Sequence, residues 1–339
     1  MKAVVYDAPR RWRYGDRPDP VPAAGEVLLR VAAAGVCGTD VHLDAGEFGP
    51  VYPLTPGHEI AGVVSGTGPG VTGLAEGDLV ALDNMIACGH CRQCRRARPQ
   101  FCASMRAMGV TDPGGFAEYV VAAAGKCHPA GDLDPEAAAL AEPVACVVHG
   151  LDVLQLRPGS DVLVFGTGPT GLILAQLLRG SGASRVTVAG RTPFKLDLAA
   201  AYGADEVVLM TAEDQRPGGA RVAELAPDGF DVVIDATGSL EVLAGCAQLL
   251  GIGGTLFVYG MTPEAASLTI SPYDVFRREL TIRGSFSQAF SFDRALALLR
   301  SGRVRTEGMV THRFALPDYG AAIEAVARDS LCLKAMVHP

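Results

Sequence analysis

The chain has 339 residues, of which 49% are hydrophobic and 19% are charged. This length suggests two domains, and the composition is too apolar for a disordered chain. The net charge of −8 argues mildly against nucleic acid as a main partner, and no apolar run in the sequence approaches the length of a membrane span. The N-terminal residues show no secretory signal, so we expect a cytoplasmic protein.

The first part of the chain, up to about residue 150, is rich in Gly, Pro and short β-branched runs. Examples of such runs occur at residues 26–31 and 61–64. Short strands interrupted in this way predict an irregular β-barrel domain.

From about residue 151 the sequence predicts strands that alternate with helices. The predicted strands are 161–165, 185–189, 206–209, 230–235, 254–259 and 280–284, with helices up to about residue 178 and over 195–202. This alternation predicts an α/β domain over residues 151–289 with a doubly wound parallel sheet. An amphipathic helix is predicted at 292–299. We expect the apolar stretch 332–337 to return as a strand to the first domain, which would then comprise 1–150 and 290–339.

Three clusters in the first domain carry residue types that bind zinc. Cys37 opens Cys-Gly-Thr-Asp-Val-His, His58 and Glu59 stand in Gly-His-Glu, and Glu142 stands in Ala-Glu-Pro. Mixed sulfur, nitrogen and oxygen ligands suit a catalytic zinc, which keeps one position open for water or substrate. Each cluster alone is weak evidence, because a lone Cys-Gly is more often a buried small residue. Together they predict a catalytic metal centre.

Four further cysteines predict a second, structural zinc site. Cys88, Cys91, Cys94 and Cys102 form the pattern C-x2-C-x2-C-x7-C within a lobe of about residues 84–103. Four thiolates make a closed tetrahedral zinc site. Ferredoxin clusters also begin C-x2-C-x2-C, but they continue with x3-C-Pro, which this chain lacks. Nine cysteines in a long chain without a signal favour metal binding over disulfides.

The second domain begins with a predicted dinucleotide-binding loop. The sequence Gly166-Thr-Gly168-Pro169-Thr170-Gly171 follows a predicted strand and opens a helix, which is the context that this motif requires. Glycines let the backbone approach a pyrophosphate, and the helix N-terminus favours its negative charge. A later segment, which includes Thr237 and Gly238, ends a predicted strand at the carboxyl edge of the sheet, where nucleotide sites form.

The end of the second strand of this domain bears on the choice of nucleotide. NAD-binding domains carry an acidic residue there for the ribose 2′-hydroxyl, whereas this chain has Gly190, Arg191 and Thr192. A guanidinium suits a 2′-phosphate, and Thr192 and Lys195 could assist it. The sequence therefore predicts NADP. The alternative is NAD with Arg191 stacked on the adenine.

The motifs together resemble one family over essentially the whole chain. Gly57-His58-Glu59 is followed by Gly62, Gly68 and Val71, with Cys37 upstream and Glu142 downstream. This pattern resembles the zinc-containing medium-chain alcohol and polyol dehydrogenases. The resemblance implies a GroES-like catalytic domain, a Rossmann domain, and a homo-oligomer, either a dimer or a tetramer.

The same resemblance assigns roles to individual residues. It implies that Cys37, His58 and either Glu59 or Glu142 hold the catalytic zinc. It implies that Thr39 and His42 carry the proton released by the alcohol, a task that suits a histidine because it titrates near neutral pH. It also implies that the backbone of Gly284, Ser285 and Phe286 faces the nicotinamide.

The resemblance implies hydride transfer between NADP(H) and a secondary alcohol or ketone, with a polyol, cyclitol or sugar as the expected substrate. Two alternatives stay open: a threonine, butanediol or simple secondary-alcohol dehydrogenase, and a regulatory protein that binds NADP(H) without turnover. Sorbitol dehydrogenases typically have Arg-Tyr after the last-strand Phe, whereas here Ser287 and Gln288 follow and offer hydrogen bonds to substrate hydroxyls. We expect Glu47, Phe48 and Tyr52 in the pocket wall.

Overall fold

The chain forms two compact units in a computed structural model that describes residues 1–211 and 220–339. Unit 1 comprises residues 1–145, 288–302 and 306–339, and unit 2 comprises residues 146–287 and 303–305. The division falls inside a helix that begins at Ala141, which is why it lies a few residues before the sequence-based boundary at 150.

The strands are numbered in chain order. They are β1 (Lys2–Ala8), β2 (Arg11–Asp16), β3 (Glu26–Val36), β4 (Glu59–Thr67), β5 (Leu79–Leu82), β6 (Met85–Ile86), β7 (Arg106–Ala107), β8 (Tyr119–Ala123), β9 (Cys127–Pro129), β10 (Asp161–Phe165), β11 (Arg185–Gly190), β12 (Glu206–Leu209), β13 (Phe230–Asp235), β14 (Leu250–Val258), β15 (Thr281–Gly284), β16 (Val310–Ala315) and β17 (Lys334–His338).

The helices are numbered in the same way. They are α1 (Gly38–Asp44), α2 (Pro135–Ala139), α3 (Ala141–Leu154), α4 (Pro169–Gly180), α5 (Pro193–Ala201), α6 (Ala220–Leu225), α7 (Leu240–Cys246), α8 (Pro272–Arg278), α9 (Phe292–Arg300) and α10 (Tyr319–Arg328). Among the residues described, none of these helices has the length and apolarity that crossing a bilayer requires.

Unit 1 is built around an irregular seven-stranded sheet with strand order β16-β17-β3-β4-β5-β9, in which β8 also pairs with β3. Strand β3 is central because it pairs antiparallel with β4, β8 and β17. Its apolar residues alternate at Val27, Leu29 and Val31, all of which are buried. The last strand, β17, pairs with β3 and so returns the end of the chain to the first unit, as predicted.

The pairing of β3 with β4 brings two distant motifs together. Gly35 near the end of β3 lies opposite Glu59 at the start of β4. The residues that follow β3 therefore lie beside those that precede β4. Gly57 makes the turn into β4 with φ +95°, and a Cβ at this position would lie 2.9 Å from the backbone nitrogen of Phe116. This close approach explains the glycine of Gly-His-Glu.

Unit 2 contains a six-stranded, all-parallel sheet with strand order β12-β11-β10-β13-β14-β15. This is the 3-2-1-4-5-6 order of the Rossmann fold, and the predicted doubly wound domain is confirmed. Strand β14 begins at Leu250 rather than at residue 254. Its pairing with β13 is irregular between Leu250 and Thr255, and Gly253 within this stretch has φ +75°.

Candidate catalytic metal centre and nucleotide site

The structure brings Cys37, His58 and Glu59 together in unit 1. One ligand atom of each, a sulfur, a ring nitrogen and a carboxylate oxygen, lies within 4.8 Å of the other two. His58 and Glu59 are buried, and Cys37 is partly buried as the N-cap of α1. This compact set of S, N and O donors fits a zinc ion.

A buried carboxylate that the sequence analysis did not single out supports this group. Asp40 Oδ2 accepts a hydrogen bond from the Cys37 backbone N–H at 2.9 Å, and Asp40 Oδ1 lies 3.5 Å from His58 Nδ1. Burial lowers the pKa of His58, but Asp40 and Cys37 together raise it by more than burial lowers it. The pKa of His58 therefore lies well above its usual value. Asp40 is therefore placed where an outer-sphere carboxylate would lie if His58 bound a metal. The sequence signal that could have identified Asp40 is its position three residues after Cys37, where a capping box has its acidic residue.

Lys334 is the second residue that the sequence analysis missed. Its side chain, from β17, is 3% exposed and forms an ion pair with Glu59 Oε2, which is also buried. Burial lowers the pKa of Lys334, but Glu59 and Cys37 raise it, and the net direction is upward. A buried lysine needs such a partner. The sequence signal that could have identified Lys334 is that it is the single charged residue within the apolar stretch 332–337.

The remaining predicted catalytic residues lie on two helices. Glu142 is buried in the first turn of α3, outside the group of three ligand atoms. Thr39 and His42 both lie on α1. Thr39 Oγ1 is 3.8 Å from Cys37 Sγ, and His42 Nδ1 is 2.6 Å from Glu47 Oε2.

The structure also gathers the four cysteines of the lobe. Ligand atoms of Cys88, Cys91, Cys94 and Cys102 lie within 4.8 Å of one another, with 3.5 Å between the sulfurs of Cys91 and Cys94. Two backbone N–H groups donate to sulfur at 3.3 Å, from Cys88 to Cys102 Sγ and from Cys91 to Cys88 Sγ. The nine cysteines all lie among the described residues, and none of them is in a disulfide.

The four thiols of this cluster differ in their electrostatic environment. Backbone hydrogen bonds lower the pKa of Cys91 to about 6 and also lower that of Cys102, whereas burial and the neighbouring thiols raise the pKa of Cys94 to about 12. The last thiol resists ionisation because thiolates so close to one another repel. A zinc ion would remove this repulsion, and four sulfur donors fit a closed structural site.

The predicted dinucleotide loop has the geometry that its motif requires. A Cβ at Gly171 would lie 2.1 Å from the oxygen of Gly166, which itself has φ +112°. Gly168 caps α4, Pro169 and Thr170 follow in its first turn, and a Cβ at Gly168 would meet no atom within 4 Å. Two glycines therefore serve packing, while the third leaves open space at a helix N-terminus for an anion.

The end of β11 is crowded where NAD-binding domains carry an acidic residue. A Cβ at Gly190 would lie 2.4 Å from Cγ2 of Thr167 in the nucleotide loop. Arg191 is exposed immediately after this glycine. Thr192 caps α5, and Lys195 lies in the first turn with its ammonium over the ring of Phe194 at 5.7 Å. The local charge is therefore positive, which suits a phosphate.

Two further predicted nucleotide segments end strands of the same sheet. Thr237 donates to Asp235 Oδ1 through both its backbone N–H and its hydroxyl, at 2.9 and 2.5 Å, and this shapes the turn at Gly238, where φ is +70°. Gly284 ends β15, the Ser285 N–H donates to Val258 O at 3.3 Å, and the Phe286 side chain is exposed.

Gln288 uses one half of its amide within unit 1. Its side chain is buried, and Nε2 donates to Asp83 Oδ1 and to Asn84 Oδ1, each at 2.9 Å. Its Oε1 has no hydrogen-bond partner, so a bond from this oxygen to a substrate stays a prediction. Tyr52, expected in the pocket wall, has a hydroxyl buried without a hydrogen bond.

We predict that Cys94→Ser weakens the structural site. Serine is a poor zinc ligand, so the variant should lose about one zinc per chain and melt about 5–10 °C lower, since 1 kcal/mol corresponds to about 2–4 °C at this domain size. Zinc analysis by mass spectrometry and differential scanning fluorimetry measure both effects. Cys127→Ser, at a core thiol outside the lobe, should keep its zinc. A Cys94 variant with normal melting and full zinc would contradict the assignment.

Family models match both units. The model for the alcohol dehydrogenase GroES-like domain matches residues 23–132, and that for zinc-binding dehydrogenase matches residues 169–301. The chain is 43% identical to D-arabinitol dehydrogenase 1 of Uromyces fabae, over 100% of this chain and 97% of that protein. It is 36% identical to D-altritol 5-dehydrogenase of Agrobacterium fabrum, over 87% of this chain and 86% of that protein.

A solved structure agrees with these sequence matches. A zinc-binding dehydrogenase from Sinorhizobium meliloti 1021, determined in complex with NADP, superposes with a TM-score of 0.94 at 34% identity, over 100% of this chain and 99% of that one. The GroES-like and Rossmann domains expected from the sequence are thereby confirmed. With its compact S, N and O donor group and its dinucleotide loop, the chain belongs to the zinc-containing medium-chain alcohol and polyol dehydrogenase family.

Proposed function

We propose that this dehydrogenase transfers a hydride between NADP(H) and a secondary alcohol or ketone of the polyol, cyclitol or sugar class. The observation that carries the proposal is the group of Cys37, His58 and Glu59, whose ligand atoms lie within 4.8 Å of one another. Such a mixed donor set favours a catalytic over a structural zinc. This donor set argues against the alternative of a nucleotide-binding protein without turnover.

Cys37 and His58 would hold the zinc together with Glu59 or Glu142. Glu59 lies within the donor group, but its ion pair with Lys334 competes with the metal, which keeps Glu142 as the alternative third ligand. Zinc supplies a Lewis acid that lowers the pKa of an alcohol, so that hydride can leave the adjacent carbon at neutral pH. Asp40 and Lys334 keep the ligands oriented and offset part of their charge.

The protein must also remove the alcohol proton. Thr39 lies beside Cys37 and can accept this proton while passing on its own. His42 is three residues further along α1 and therefore lies on the same helix face. Its side chain is 31% exposed, which lets it deliver the proton towards solvent.

The polyol class is supported by the relatives. Two of them, at 43% and 36% identity, are named for arabitol-type and altritol substrates, and both matches extend over most of this chain. NADP is supported by the exposed Arg191 after Gly190 and by the NADP bound in the similar structure. The cytoplasmic location stays a prediction from the N-terminal sequence.

We also propose a homo-oligomer, a dimer or a tetramer. Strand β15 is an edge of the six-stranded sheet, and Ile282 on it is 49% exposed. Helix α8, which precedes it, exposes Tyr273 and Phe276 by 71% and 79%. An edge strand beside large apolar side chains is a typical contact surface. Light scattering should give two or four times the chain mass of 35.2 kDa, and a monomer would refute the proposal.

Turnover on a substrate panel tests the proposed function. We expect initial-rate reduction of NADP⁺ with D-arabinitol, D-altritol or a cyclitol to exceed that with 2-propanol, 2,3-butanediol or L-threonine. Cys37→Ala should lower kcat/KM by on the order of 1,000-fold or more, because a Lewis acid contributes several kcal/mol. NADP⁺ affinity, measured by calorimetry, should stay unchanged. A wild-type enzyme faster on 2,3-butanediol or L-threonine would contradict the polyol assignment.

Arg191→Ala tests the choice of nucleotide. Loss of charge-assisted hydrogen bonds costs about 1.5–3 kcal/mol, so kcat/KM for NADP⁺ should fall about 10- to 100-fold while that for NAD⁺ changes little. Arg179→Ala, at an arginine of unit 2 paired with Asp205, is the matched control. An equal loss with both nucleotides would place recognition of the 2′-phosphate elsewhere. Gly190→Asp is unsuitable, because its side chain would collide with Thr167.

A further inference from the structure

The chain after α1 turns back onto His42. The backbone N–H of Glu47 donates to His42 O at 2.9 Å, and that of Gly46 donates to Leu43 O at 2.9 Å. Gly46 has φ +88°, and a Cβ there would lie 2.7 Å from Cγ of Pro9. This turn is therefore fixed by the backbone rather than by the exposed side chains at its surface.

Two side chains of this turn hold the His42 ring. Glu47 Oε2 lies 2.6 Å from His42 Nδ1, and the ring of Phe48 meets the imidazole edge-on at 5.9 Å between centroids. Phe48 has φ +66°, a conformation that costs a non-glycine residue about 1–3 kcal/mol. Backbone strain of this kind tends to persist where it positions a functional group.

The short contact decides which ring nitrogen carries the proton. A carboxylate oxygen only accepts hydrogen bonds, so Nδ1 must donate to Glu47 and Nε2 is left as the acceptor. Glu47 is 55% exposed, and an isolated pair at this exposure would contribute little to stability. The effect of Glu47 therefore concerns the tautomer and orientation of the ring rather than the folding energy.

Other acidic side chains near α1 are engaged elsewhere. Asp40 faces the Cys37 N–H and His58, and Asp44 accepts a hydrogen bond from the Tyr6 hydroxyl at 2.8 Å. Glu47 is thus the carboxylate that meets His42 among the contacts of the described residues.

We propose that Glu47 is a positioning residue of the proton relay: it holds His42 in the Nδ1–H tautomer, so that Nε2 is free to accept the proton of the alcohol. This inference rests on the proposed relay role of His42. On oxidation, the alcohol carbon gives its hydride to NADP⁺ and the hydroxyl proton passes through Thr39 to His42 Nε2. The ring then releases one proton to water. Between these two proton transfers the ring is positively charged, and the carboxylate of Glu47 lies beside that charge, as the aspartate does in a catalytic triad.

Ring-¹⁵N-histidine spectra test the tautomer without any substrate. The signal of His42 is the one that His42→Asn removes. At pH 8 we expect a protonated Nδ1 and an unprotonated Nε2 in the wild type and in Glu47→Gln, whose amide oxygen still accepts a hydrogen bond. Glu47→Ala should give a mixture of tautomers. An unchanged tautomer in Glu47→Ala would overturn the proposal.

Kinetics test the consequence, with D-arabinitol and NADP⁺ as probes. We expect kcat of Glu47→Ala to fall about 10-fold. Acid–base catalysis contributes on the order of 10²–10⁴-fold, and the variant loses only part of it because His42 is still present but no longer held in one orientation. Added imidazole should restore the rate, because it can accept the proton directly. Glu324→Gln, at an exposed carboxylate paired with Arg328, should behave as the wild type.

The outcomes separate the two proposals. Loss of rate in Glu47→Ala without rescue by imidazole would indicate a merely structural role and overturn the inference. A wild type that turns over no alcohol would refute the proposed function, while the ¹⁵N spectra would still decide whether Glu47 sets the tautomer of His42.

Discussion

The antiparallel pairing of β3 with β4 is the constraint on which the catalytic centre depends. Because Gly35 lies opposite Glu59, the residue after one strand and the residue before the next become neighbours. A Cβ at Gly35 would lie 2.0 Å from Glu59 Oε2, so a side chain at that position would displace the carboxylate. One pair of hydrogen-bonded strands thus brings the proposed metal ligands close together.

Charge balance is the second requirement of this centre. The Cys37 sulfur and two acidic side chains, Asp40 and Glu59, lie around His58, and all but Cys37 are buried. Buried charges must be paired or bound to a metal, and Lys334 supplies one positive charge where β17 joins β3. A divalent cation at this position would meet sulfur, nitrogen and oxygen donors. Strand β17 therefore contributes a charged side chain to the proposed centre as well as to the fold.

The features that could be predicted from the sequence are those that depend on the spacing of nearby residues. The four cysteines of the lobe lie within fifteen positions, from Cys88 to Cys102, and alternating strands and helices define the parallel sheet without knowledge of contacts. Lys334 could not be placed, because its pairing with Glu59 depends on strand order between distant segments. The contacts of Gln288 could not be predicted for the same reason, because its partners, Asp83 and Asn84, lie in another part of the chain. Spacing carries no information on such long-range contacts.

The central claim is that unit 1 holds two chemically different zinc ions, one in the Cys37–His58 group and one in the four-cysteine lobe. Zinc stoichiometry of the purified wild type and of His58→Ala, measured by inductively coupled plasma mass spectrometry, tests it most directly. We expect two zinc ions per chain in the wild type and one in the variant, because His58 lies outside the four-cysteine lobe. Equal zinc content in the two proteins would contradict it.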